Sequence, residues 1–295
     1  GTALTTGDNN VAVGYGALDA EDTGIGSVAI GYNALTAQNN DAINYNVAVG
    51  TNAGAAVTTG TQNSLIGYGA GLALTDADFN TVLGTNALAT DTLGSKSTAI
   101  GTQALATQNF TSATDSFNTA IGYQTGLNLT TGVNNTIIGA LVGDALTTGS
   151  NNIAIGRDAL GADTAGNSNI AIGRLALGSQ NFTSATNSYN IGIGTQAGYA
   201  ITTGIRNVLI GGLAGDALQD ADFNVGVGYG ALSADTLGSG SVAIGDFTLV
   251  NQNFTSATTT YNTAVGYSAG SGVTTGQFNT LIGGVAGDAL TTGSE

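Results

Sequence analysis

The sequence predicts an all-β fold, a parallel β-solenoid of about 16 coils. Three observations carry that prediction. A short signature, Asn-x-x-aliphatic-Gly, recurs at Gly14, Gly31, Gly50, Gly67, Gly84, Gly101, Gly122, Gly139, Gly156, Gly173, Gly194, Gly211, Gly228, Gly245, Gly266 and Gly283. Its spacing is 17 residues, widened to 19 once and 21 three times. The three residues before each glycine are short, aliphatic and rich in β-branched types, which marks a strand and not a helix. A unit this small cannot bury its own apolar face, so repeated units must stack on one another.

Each element of the coil follows from its column in the alignment. Four residues before the glycine (position −4) stand thirteen Asn and three Ser (Ser27, Ser97, Ser241). Asn46, Asn63, Asn80, Asn118, Asn135, Asn152, Asn169, Asn190 and Asn207 are expected to form a hydrogen-bonded ladder that holds register and satisfies turn backbone. Within the strand, alternation puts positions −3 and −1 on one face and −2 on the other. The aliphatics at −1, for example Ile138 and Ile155, are expected to fill the coil interior. The small residues at −2 would then face outward and associate with copies of the same chain. The signature glycine ends the strand where the chain turns tightly or meets another backbone. Segments such as Thr130–Gly132, Thr202–Gly204 and Thr274–Gly276 supply the next turn.

A larger period sits above the coil. Four coils of 17, 17, 17 and 21 residues make a 72-residue super-repeat (Gly50, Gly122, Gly194, Gly266), and Asp76–Asn80 returns 144 residues later as Asp220–Asn224. The pattern reads as internal duplication along a single continuous array spanning residues 1–295, with insertions near 38–45, 108–117, 180–189 and 252–261. Sixteen coils at ~4.8 Å would give ~75 Å of stacked strand. The insertions carry aromatic pairs, Phe110 with Phe117, Phe182 with Tyr189 and Phe254 with Tyr261. They are candidate contact loops for a receptor, or else plugs that pack a groove.

Composition excludes several classes of function. Four basic residues against nineteen acidic ones give a net charge of −15, so no basic stripe exists to bind nucleic acid. The 48 glycines show no Gly-X-Y period and Pro is absent, which excludes collagen. No apolar run approaches the ~20 residues of a membrane span, so no direct membrane insertion is expected. The chain starts at Gly1 and carries no signal peptide, which is expected of a processed product or a piece of something longer. Its two ends, Gly1–Asn9 and Gly287–Glu295, share one phase of the repeat, a feature suited to a longer array or to end-to-end stacking.

Without His or Cys, the usual general base, thiol nucleophile and transition-metal ligands are missing. No catalytic site and no enzyme activity are expected. The acids Asp76/Asp78, Asp220/Asp222 and Glu21/Asp22 read as solvated turn residues. Asp76, Asp78, Asp220 and Asp222 are the candidates for weak Ca²⁺ binding, the one cofactor considered. A depolymerase-type fibre would need acids facing a groove, and an ice-binding solenoid would need an unbroken threonine face. The Thr-Thr-Gly turns are interrupted by other sequences.

The motifs Ser27-Val28-Ala29-Ile30-Gly31 and Ser241-Val242-Ala243-Ile244-Gly245 resemble the head repeats of trimeric, YadA-like autotransporter adhesins. The resemblance implies a left-handed β-roll in which three chains form a compact homotrimer that attaches to surfaces. Similar arrays resemble the repeat shafts of phage tail fibres and other long surface proteins. The expected function is therefore a structural and adhesive extracellular fibre segment, on a cell surface or a virion, with itself and a surface receptor as partners. A filament subunit stacking end to end and a tail-fibre shaft are the alternatives.

Overall fold

The computed structural model describes residues 3–294 and shows an all-β parallel solenoid without helices. The chain forms two compact units, Gly1–Thr148 and Gly149–Glu295. In the first, eight three-residue strands stack in parallel: Val11–Val13, Val28–Ile30, Val47–Val49, Ser64–Ile66, Thr81–Leu83, Thr98–Ile100, Thr119–Ile121 and Thr136–Ile138. The second unit repeats the arrangement with Ile153–Ile155, Ile170–Ile172, Ile191–Ile193, Val208–Ile210, Val225–Val227, Val242–Ile244, Thr263–Val265 and Thr280–Ile282. Register is strict, column against column, as in Ile170 with Ile191 and Ile172 with Ile193. The 21-residue coils add small side ladders, Gly94–Ser95 with Thr114–Asp115, Gly166–Asn167 with Thr186–Asn187, and Gly238–Ser239 with Thr258–Thr259.

The signature glycines hold the stack together by having no side chain. Gly194 sits at φ +134°, and a Cβ there would fall 2.5 Å from the carbonyl oxygen of Gly211 in the next coil. The column is a line of backbones in contact, which only glycine permits.

The strand's two faces are reversed from the expectation. Position −2 points inward: Ala29, Ala48, Leu65, Ala99, Ile137, Ala154, Ala171 and Leu209 are fully buried. Positions −3 and −1 point outward, and Ile138 and Ile155 are only half-buried. The reason is room. The inner space is already taken by a leucine at position +4 of many coils, such as Leu88, Leu105, Leu160 and Leu177, all fully buried. In these coils position −2 is mostly Ala, with Val82 beside Leu88 the larger exception.

These leucines pay for their place with backbone strain. Leu88, Leu105, Leu160 and Leu177 have φ between 47° and 51°, the left-handed region that costs a non-glycine residue about 1–2 kcal/mol. Burying the side chain returns about 1.5–3 kcal/mol, so burial wins. The other coils use a second recipe. Gly at +4 (Gly54, Gly71, Gly126, Gly143) removes the strain, and an aliphatic at +7 (Val57, Leu74, Leu129, Leu146) fills the space. In the second coil of each such pair a larger −2 residue, Leu65 or Ile137, completes the core.

Candidate functional site

The asparagine column lines one inner wall. Asn46, Asn63, Asn80, Asn118, Asn135, Asn152, Asn169, Asn190 and Asn207 are all buried. The Oδ1 of Asn46 accepts the backbone N–H of Asn63 at 2.8 Å, Asn63 that of Asn80 at 3.0 Å, and Asn190 that of Asn207 at 2.9 Å. The amide nitrogen donates to a turn carbonyl fourteen residues on, as from Asn63 to Ala77 and from Asn118 to Gly132, both at 2.7 Å. Asn10, Asn224, Asn262 and Asn279 take part in the same scheme. Each coil thus ties its strand to its turn and to the next coil.

A second polar system grows from this wall. In the leucine coils, position +7 holds an acid and then, one coil on, a glutamine: Glu21 with Gln38, Asp91 with Gln108, Asp163 with Gln180, Asp235 with Gln252. All eight are fully buried. Asp91 accepts the N–H groups of Gly94 and Phe110, each at 3.0 Å, through Oδ1, and Gln108 Nε2 at 2.6 Å through Oδ2. Gln108 Oε1 accepts Asn118 Nδ2 at 2.9 Å, which joins the clasp to the ladder. The Asp163 and Asp235 clasps repeat the pattern. Burial pushes the Asp163 and Asp235 carboxyls above their usual range, while the glutamine and backbone donors pull the other way.

The clasps set the insertions in place. Phe110, Phe182 and Phe254, whose N–H groups the acids hold, are 6%, 7% and 5% exposed. They are plugs, so as contact residues they are corrected. Their partners Phe117, Tyr189 and Tyr261 stand outside at 52%, 49% and 60%. One aromatic of each pair therefore closes the core while the other remains on the surface. Glu21 also corrects the solvated-turn reading, since it is fully buried and bonded to Gly24, Gln38 and Asn44.

The candidate cation ligands serve neighbouring coils. Asp76 accepts Thr59 Oγ1 at 2.7 Å, and Asp78 accepts the N–H of Thr61 at 2.7 Å. Asp220 and Asp222 do the same for Thr203 and Ile205, each at 2.8 Å. Among the described residues, no group of three or more His, Cys, Asp or Glu converges as a metal site would require.

The outward strand face runs the length of the strand stack in each unit. Its −3 column is Val, Ile, Thr or Ser, and its −1 column is Ile, Val or Leu in every coil. Ile30, Ile66, Leu83, Ile153, Ile210 and Ile244 are 37–45% exposed. Tyrosines at +1 flank it, among them Tyr32, Tyr68, Tyr123 and Tyr229. None of the nineteen acidic residues lies in the −3 or −1 column.

Sequence reasoning missed the acid–glutamine clasps. Their signal is present in the sequence, because position +7 alternates between aliphatic pairs and acid–glutamine pairs in step with Gly and Leu at +4. Compared with known proteins, the chain matches no family model, no curated protein and no solved structure.

Proposed function

We propose that the chain is a structural and adhesive fibre segment that assembles with copies of itself through the outward Val/Ile face. One observation carries the reading: every coil presents an uncharged pair outward, Val, Ile, Thr or Ser at −3 and Ile, Val or Leu at −1, in strict register and half-buried or exposed. A second copy is the occupant that fits, because its own columns repeat with the same coil spacing. Knobs on one copy then meet gaps on the other along the whole face. Interface cores are depleted of charge and enriched in aromatics, as this face and its flanking tyrosines are. The net charge of −15, carried elsewhere on the chain, favours specific pairing over indiscriminate aggregation.

The resemblance of Ser27–Gly31 and Ser241–Gly245 to YadA-like head repeats favours a trimer and a place outside the cell, on a cell surface or a virion, attached to a surface receptor. The role is presentation and attachment, without catalysis and without a resident cofactor. Sedimentation velocity tests it. The chain is expected to run as a small multiple of 28.8 kDa, a trimer on the reading given. The Ile155→Asp, Ile172→Asp double variant is expected to run as a folded monomer. A folded monomer for the unaltered chain at micromolar concentration overturns the proposal.

A further inference from the structure

We infer that a surface cleft at Gly240 in the second unit binds a lysine side chain from outside. Five residues before each signature glycine lies an outward, left-handed corner. In the first unit that column reads Phe79, Lys96, Phe117, and 144 residues later it reads Phe223, Gly240, Tyr261. The corner geometry is kept, with φ 62° at Lys96 and 78° at Gly240.

In the first unit the slot between two aromatic positions is filled from within. Lys96 Nζ lies 2.5 Å from the Asp115 carboxylate and 5.3 Å from the centroid of the Phe117 ring. An ammonium over an aromatic face is attracted by the ring's quadrupole. In the second unit the lysine has become glycine, and Thr259 replaces Asp115. What remains is a cleft of about 320 Å³ lined by Asp222, Phe223, Ser239, Gly240, Thr259 and Tyr261.

The acid that pairs with Lys96 has no counterpart here, and the carboxylate placed to meet a cation is Asp222. Two aromatic residues and one carboxylate still line it. Arg206 lies over the Phe223 ring at 5.5 Å, and Tyr261 packs on Phe278 at 5.8 Å between centroids. The column here reads Arg206, Phe223, Gly240, Tyr261, Phe278, and Gly240 takes the place between two rings that Lys96 holds in the first unit. The other equivalents of Lys96 do not share this setting. Gly26 follows Asn9 and Ser168 follows Asn151, so neither lies between two aromatics. A net charge of −15 draws a basic partner in.

The test uses the full chain, with carbon-13-labelled Tyr and Phe rings observed by NMR, and titrates in Nα-acetyl-lysine amide. The proposal expects saturable shifts of the Tyr261 and Phe223 ring signals, and none from the same compound acetylated on Nε. The Gly240→Lys variant is expected to fold, since Lys96 occupies the matching corner and a Cβ at Gly240 meets only ordinary contacts of 3.4 Å or more. It should lose the response by filling the slot itself. Asp222→Asn, which keeps an acceptor for the N–H of Ile205, should weaken binding several-fold. Equal shifts with the acetylated compound, shifts that persist in Gly240→Lys, or no saturation up to about 100 mM would each overturn it.

Discussion

At the residue scale, two adjacent side chains in each strand take opposite sides of the wall. Ala171 is fully buried and Ile172, its neighbour, is half-buried. Ala171→Asp places an unpaired charge in the core and is expected to cost about 3–5 kcal/mol. Ile172→Asp is expected to cost about 1 kcal/mol or less in the isolated unit. Chemical denaturation of the two variants compares them directly, and equal costs would contradict the assignment. The period-2 alternation was legible in the sequence, but its sense was not. Size was the misleading cue, because larger aliphatics usually fill a core. Here the leucines at +4 claim the interior first, and they lie six residues further along the chain, as Leu177 does from Ala171. A count of volumes across the coil, with Leu at +4 against Ala at −2, holds the missing information.

At the element scale, the acid–glutamine clasp explains how a 21-residue coil fits among 17-residue neighbours. The carboxylate of Asp163 gathers the N–H of Gly166, the N–H of Phe182 and the Gln180 amide, and so fixes both ends of the excursion. Phe182→Ala empties a buried site and is expected to cost about 3 kcal/mol. Tyr189→Ala, on the exposed partner, should change stability by less than about 0.5 kcal/mol. Thermal unfolding of the pair separates plug from surface residue. The clasps also set a pH dependence. Asp163 and Asp235 have folded-state pKa values raised by burial. Their contribution is then full below the usual carboxylate value of about 4 and is lost as pH rises through the raised values. The melting temperature is expected to fall as pH rises from about 4 towards neutral, and the Asp163→Asn, Asp235→Asn double variant should flatten that slope. A melting temperature that climbs over the same range would contradict it. The insertions and their aromatics were visible in the sequence. The inward turn of Phe110, Phe182 and Phe254 was not, because it depends on acids 19 residues earlier that look like ordinary turn residues.

At the scale of the whole molecule, each unit closes its core and leaves one long apolar face outside. The repeat, the register and the glycine column were readable from spacing alone, because identical units can stack in only one way without losing their ladders. The sequence reading offered the −2 face to a partner, but that face is inside, and the proposed partner surface is the opposite one. The outward face carries larger aliphatic side chains at −1 than the alanines that dominate the −2 column, and none of the acidic residues.

The most direct test exploits the absence of native cysteine. Ala171→Cys and Ile172→Cys variants of the full chain are treated with a bis-maleimide under native conditions and resolved by mass. The account predicts that Ile172→Cys links chains to one another and that Ala171→Cys neither labels nor links until the protein unfolds. Rapid labelling of Ala171→Cys with silence at Ile172→Cys would contradict the fold's inside-out assignment. Labelling of Ile172→Cys without any links between chains would contradict the association.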